Sequence, residues 1–335
     1  MGRQLVGQLA WLALLSGLLA ACGGRPTQGP PQKATQPTSS RLRVATTVLP
    51  ITLFTRAVVG DCAEVVSLLP ASAGAHDFQA RPADGVALQQ AQVLVKNGLG
   101  LEDFLGKLQA SAANPDLVVV DASRNVTPLA GAAEPIVDGD ARGHGGDHGD
   151  DQDDGHDHDH GPVNPHVWLD PLRAAQQVET IRDGLVRADP RCAPTYRRNA
   201  TAFIARLRQL NRQLADQLAP YRGRTLVAFH DVAPYFAERY GLKADFLVDV
   251  PAVNPSPADL QRVARAVKRH QLRALLSEPQ QGQRSLNALA RDLGIGVKVF
   301  DPLEIASEAE ARQPDIYFNV MARNGEQVRA VFTGT

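Results

Sequence analysis

A polar stretch at 193–218, rich in Arg and Gln, carries apolar residues at Phe203, Leu207, Leu210, Leu214 and Leu218. Three- and four-residue spacing puts these side chains on one stripe of a long amphipathic helix. On both sides of it, short β-branched runs alternate with helical patterns. Before it, strands are predicted at 42–47, 63–68, 92–96 and 117–121, with helices at 50–59, near 84–91 and near 101–108. After it, strands are predicted at 225–229, 244–248, 274–277 and 296–300, with helices near 231–240, 257–270 and 284–293. Strand–helix alternation of this kind implies parallel sheets. The expected fold class is therefore α/β, with two βα lobes joined by a long rigid connecting helix. The boundaries that follow are 41–170 for the first lobe, 171–220 for a helical region and 221–335 for the second lobe.

The first residues read as a targeting segment at 1–21: Arg3, an apolar run at 9–21, and Leu19, Ala20 and Ala21 immediately before Cys22. The run falls short of the ~20 residues that cross a bilayer, and small residues before a cysteine suit a peptidase. An uncleaved anchor helix is the alternative. The segment is similar to the leaders of bacterial lipoproteins, which implies that Cys22 carries lipid and tethers the protein outside the cytoplasm, in a periplasm or on an outer cell surface. Residues 22–40, rich in Gly, Pro, Gln, Ser and Thr, form the expected flexible leash. Beyond Cys22 only Cys62 and Cys192 remain. An oxidising compartment permits a disulfide between them, and two separate buried thiols are the alternative.

Composition narrows the ligand. With 335 residues and a formal net charge of −1, nothing favours nucleic acid, and 5% aromatic content argues against a platform for stacking sugars or bases. A small ligand and a monomer are expected. The charge that exists is unevenly spread, because 143–161 is almost entirely Gly, His and Asp and contains nothing to bury.

Nine histidines are present, and five of them, His144, His148, His156, His158 and His160, fall in that insert, where alternate imidazoles form an auxiliary zinc-scavenging or sensing set. An inert solvated linker is the alternative. His270 sits in a Lys/Arg-rich helix and reads as a surface residue. The others are placed differently: His76 in the loop after strand 63–68, His166 in Asn164-Pro165-His166-Val167-Trp168, and His230 at the end of strand 225–229. Asp301 directly follows strand 296–300. Open α/β sheets place ligand crevices at the carboxyl ends of strands, so all four point to one interlobe metal site. Each alone is equally well a structural histidine or a capping aspartate. Three imidazoles and one carboxylate suit tetrahedral Zn²⁺, whereas Mn²⁺ sites recruit more oxygen. Catalysis is not expected. A zinc hydrolase needs an open coordination position and a general base, and the chain has neither a His-Glu-x-x-His helix nor an evident base beside these ligands.

The chain resembles the solute-binding proteins of zinc and manganese ABC transporters. Leu69-Pro70 with Gly74-Ala75-His76-Asp77-Phe78, Asn164 to Pro171, Phe229-His230-Asp231 with Tyr235-Phe236, Glu278-Pro279-Gln280 and Asp301-Pro302-Leu303 carry the resemblance. It implies two bridged βα lobes, zinc as transported ligand held by His76, His166, His230 and Asp301, and delivery to an ABC-transporter membrane permease. Manganese members resemble a version with a carboxylate at the position of His230. Glu304 departs from the family, which commonly has glycine there. A manganese-binding member and a metal-dependent surface adhesin are the alternatives. Glu278 is expected as an outer partner to an imidazole or as a helix-leading surface residue, and Asp170 and Asp231 as helix N-caps.

Overall fold

The computed structural model describes residues 41–76, 78–131, 163–248, 254–279 and 283–334. The leader, Cys22, the tether and the histidines of the insert lie outside the described residues. From the amino end the elements are β1 (Leu42–Thr46), α1 (Leu49–Val59), β2 (Ala63–Ser67), α2 (Pro82–Gln89), β3 (Val93–Lys96), α3 (Phe104–Ala112) and β4 (Val118–Asp121). All neighbouring strands are parallel, in the order β2-β1-β3-β4. Two helices follow, α4 (Pro171–Ala188) and α5 (Ala193–Leu218). The second lobe repeats the plan with β5 (Thr225–His230), α6 (Pro234–Arg239), β6 (Lys243–Val248), α7 (Pro257–His270), β7 (Ala274–Ser277), α8 (Gln283–Leu293) and β8 (Gly296–Val299). Its order is β6-β5-β7-β8, again parallel. A last helix, α9 (Ile316–Thr333), closes the chain.

Helices cover these sheets, so their inner strands are buried and read as nearly continuous apolar runs; every residue of β5, TLVAFH, is buried. The strand order reverses between β1 and β3 in one lobe and between β5 and β7 in the other. Those two switch points are where doubly wound sheets open a crevice.

Helix α5 buries the predicted stripe together with Tyr196, Ala200 and Ile204. Its 26 residues extend about 39 Å. Along that length it packs on both lobes: Phe203 meets Phe54 of α1 edge-on at 5.8 Å, and Leu214 lies against Gly325 of α9, where a Cβ would collide with it. A disulfide joins Cys62, between α1 and β2, to Cys192 at the start of α5. The main apolar core runs unbroken from Val44 and Leu94 through α5 to Leu226, Leu276 and Val328. Among the described residues no helix is long and apolar enough to cross a membrane.

Two local departures from expectation matter for the site. Helix α3 begins later than predicted, because Gly98, Leu99 and Gly100 all have positive φ, at 85°, 59° and 78°. Glu102 stabilises that loop by accepting from the backbone N–H of Asn97 (2.6 Å) and Gly98 (3.0 Å) and from Thr47 Oγ1 (2.7 Å). Asp170 caps α4 as expected, accepting from Leu172 N–H, and also receives two bonds from Arg239 of α6. Asp231 does not cap α6, whose first residue, Pro234, follows Ala233; Asp231 accepts instead from Asn164 Nδ2 at 2.9 Å. Ala130 and Val163 pair in an isolated antiparallel bridge, and Leu129 C=O accepts from Asn164 N–H at 3.0 Å.

Candidate metal centre

His230 is the last residue of β5 and has no solvent exposure. Its Nδ1 lies 2.5 Å from Glu278 Oε1, and its backbone N–H donates to the same oxygen at 3.2 Å. Glu278 is the first residue beyond β7 and is itself buried. The second switch point thus supplies an imidazole and the carboxylate that orients it, leaving Nε2 directed outward. Burial alone would lower the proton affinity of His230. The adjacent Glu278 and Glu304 carboxylates outweigh it and raise the pKa to about 10.

His166 is equally buried but differently braced. Asn164 Oδ1 lies 3.0 Å from both its Nδ1 and its backbone N. Asn164 Nδ2 donates to Asp231 C=O and carboxylate, so the amide oxygen must be the atom facing His166. That fixes the proton on Nδ1 and again leaves Nε2 for the site. From the first switch point, Asn97 Nδ2 donates to Pro165 C=O at 3.0 Å, while Gln177 Nε2 donates to Asn97 Oδ1. Burial lowers the His166 pKa to about 4, against the pull of Glu304.

His76 belongs to the loop after β2 and Glu304 to the loop after β8, with side chains 13% and 12% exposed. Glu304 Oε1 stands 3.6 Å from His76 Nε2, 3.0 Å from His166 Nε2 and 3.7 Å from His230 Nε2. One ligand atom from each of the four residues lies within 4.8 Å of every other. Burial would raise the Glu304 carboxyl, yet the three imidazoles hold it well below the usual carboxylate range. Bonds between the lobes close the surroundings: Ala306 N–H to Ala71 C=O (2.7 Å), Trp168 Nε1 to Pro302 C=O (2.8 Å) and Tyr317 hydroxyl to Trp168 C=O (2.7 Å).

The three predicted histidines therefore converge, but the carboxylate beside them is Glu304 and not Asp301. Asp301 Oδ1 accepts from Leu303 N–H at 2.8 Å, and Oδ2 lies 4.0 Å from Arg323. Burial raises its carboxyl. The reason is the turn itself: Leu303 adopts φ of 58°, which folds Asp301 back on the turn and sends Glu304 forward. An Asp-Pro pair initiating a turn, with a second carboxylate three residues on, was the available signal. Glu278, expected as either an outer partner or a surface residue, is the outer partner. His270 lies at the end of α7, outside the group, and no second such group gathers among the described residues.

Residues 44–331 match the family described as zinc-uptake complex component A, periplasmic. The chain is 29% identical to the high-affinity zinc uptake system protein ZnuA of Bacillus subtilis, over 92% of this chain and 91% of that one. It is also 29% identical to the zinc-binding protein AdcA of Streptococcus pyogenes, over 86% of this chain and 56% of that protein. It thus spans about half the length of the AdcA relatives. Among solved structures, the Zn(II)-bound ZnuA-like domain of Streptococcus pneumoniae AdcA superposes with a TM-score of 0.69 at 26% identity, covering 87% of this chain and 99% of that domain. The solute-binding protein FpvC of Pseudomonas aeruginosa in complex with Mn²⁺ gives 0.72 at 27%, covering 88% and 100%. The chain belongs to the family of extracytoplasmic solute-binding proteins described as zinc-uptake complex component A.

Proposed function

We propose that this protein captures Zn²⁺ between its lobes with Nε2 of His76, His166 and His230 and the carboxylate of Glu304, and delivers it to the membrane permease of an ABC-type transporter. The observation that carries this reading is the four-residue group, whose ligand atoms lie within 4.8 Å of one another. Three nitrogens and one oxygen around a compact centre suit a d¹⁰ ion in tetrahedral coordination. A nitrogen-rich set also ranks Zn²⁺ above Mn²⁺ in the affinity order of divalent ions.

The residues divide the work of capture. His166 is neutral at ordinary pH, so its Nε2 lone pair is available without loss of a proton. Glu304 is anionic and supplies the charge that draws the cation. His230 carries a proton that zinc must expel, and Glu278 then holds the remaining Nδ1–H in place. Lipid on Cys22 keeps the protein near the permease. The AdcA and ZnuA relatives named above are zinc proteins, which supports the same cargo here. Native mass spectrometry of metal-stripped protein, offered equimolar zinc, manganese, copper and iron, tests the reading. One tightly held zinc per chain is expected, and preferential manganese loading sinks it.

A further inference from the structure

Two carboxylates sit three residues apart on the turn after β8, and only one reaches the imidazoles. We propose that Asp301 serves zinc capture as a positioning residue: its carboxylate does not touch the metal but folds the 301–304 turn that aims Glu304 at the three histidines. The inference rests on the ligand set proposed above.

The three residues that lead to Glu304 are each held in place. Asn324 of α9, itself buried, grips Asp301 at both ends of its backbone, with Asp301 N–H donating to Asn324 Oδ1 (2.9 Å) and Asn324 Nδ2 donating to Asp301 C=O (2.8 Å). Pro302 C=O accepts from Trp168 Nε1, two residues beyond His166. Leu303 occupies the left-handed region, which disfavours a leucine. Two features keep it there: its side chain is 1% exposed in the core, and its N–H donates to Asp301 Oδ1 at 2.8 Å. A short aspartate accepting two residues on is the standard way to close such a turn. With that turn closed, Glu304 follows it into contact with three Nε2 atoms.

In the observed turn Asp301 Oδ1 is committed to Leu303 N–H. For Asp301 to coordinate metal through Oδ1, that oxygen must leave Leu303 N–H, and the bond that sets the direction of Glu304 is lost. A positioning role needs only an acceptor oxygen at residue 301. A ligand role needs the negative charge.

Zinc competition titration and Co²⁺ absorption spectra of Asp301→Asn, Asp301→Ala, Glu304→Gln and the Asp301→Ala/Glu304→Gln double variant decide between them. Asp301→Asn keeps the acceptor, so its zinc affinity is expected within about threefold of wild type, with an unchanged Co²⁺ spectrum. Asp301→Ala is expected to lose about 10- to 100-fold. The double variant is expected to bind no more weakly than Glu304→Gln alone, since residues acting through one another do not add. Asn as weak as Ala, or losses that add in the double variant, overturns the proposal. Glu304→Gln weak while Asp301→Ala binds normally overturns the positioning role alone. Glu304→Gln binding like wild type overturns the ligand set as well. Should Asp301→Ala melt or fail to fold by circular dichroism, the Asn variant decides by itself.

Discussion

The two lobes share one topology, yet each presents a buried imidazole in a different electrical setting. His166, from the first lobe, is braced by the neutral amide of Asn164 and has its pKa lowered to about 4. His230, from the second, is braced by the Glu278 carboxylate and has it raised to about 10. Both are fully buried. Burial pushes both rings down; it prevails at His166, and at His230 the Glu278 and Glu304 carboxylates overturn it. One lobe offers a lone pair ready for use, and the other offers a more basic nitrogen that must first release a proton.

The largest effects should come from removing a ligand on either side. His166→Ala, His230→Ala and Glu304→Gln should each lower zinc affinity by more than the ~10- to 100-fold typical of losing an outer partner, measured by competition with a chromophoric chelator. A smaller loss at Glu304 than at the outer partners would reverse the hierarchy of the site.

Glu278→Gln should cost about 10- to 100-fold and change the pH dependence as well. Zinc expels the His230 proton, so wild-type affinity should fall about tenfold per unit of pH between 8 and 6 from this group alone. Glu278→Gln weakens the proton's hold, flattens that slope and narrows the deficit toward acid. Asn164→Ala should lower affinity without altering the slope, because His166 is already neutral. Matching slopes for the two variants would erase the distinction between the lobes.

The same contrast appears in the stability of the metal-free protein. His230, with its folded pKa raised, contributes stability that is complete below the unfolded value of about 6.5 and is lost as pH rises through about 10. His166, with its folded pKa lowered, disfavours folding as pH drops from about 6.5 toward 4. Urea titrations across pH should therefore show the apo protein declining on both flanks. A monotonic profile from pH 4 to 10 would break this assignment.

Replacing Cys62 and Cys192 by Ser should lower stability by up to about 5 kcal/mol, the chain-entropy value for a loop of this length, while zinc affinity changes little. Least of all, His270→Ala should leave binding unchanged, and deletion of 143–161 should reduce total bound zinc but preserve the single tight site. Loss of the tight site on that deletion would refute the division.

Much of this was legible from residue order. Two βα series around an amphipathic stripe dictate the lobes and α5, and three histidines beyond strand ends mark the crevice. The carboxylate was only half legible: the Asp-Pro pair marks a turn that carries both candidates, but proximity to β8 favours Asp301, whereas Glu304 comes forward through a leucine in a left-handed turn. Propensity assigns that conformation to glycine or asparagine. The predicted elements also end at residue 300, short of α9, whose Asn324 anchors the same turn. Asp231 was misread as a cap because its partner, Asn164, is 67 residues away in sequence. Contacts at that range have no local pattern.

The bridge between Ala130 and Val163 clamps the two roots of the intervening stretch before the chain reaches Asn164. Val163 stands one residue before Asn164, whose amide oxygen braces the His166 ring, so loosening that single pair would be felt directly at one of the proposed zinc ligands.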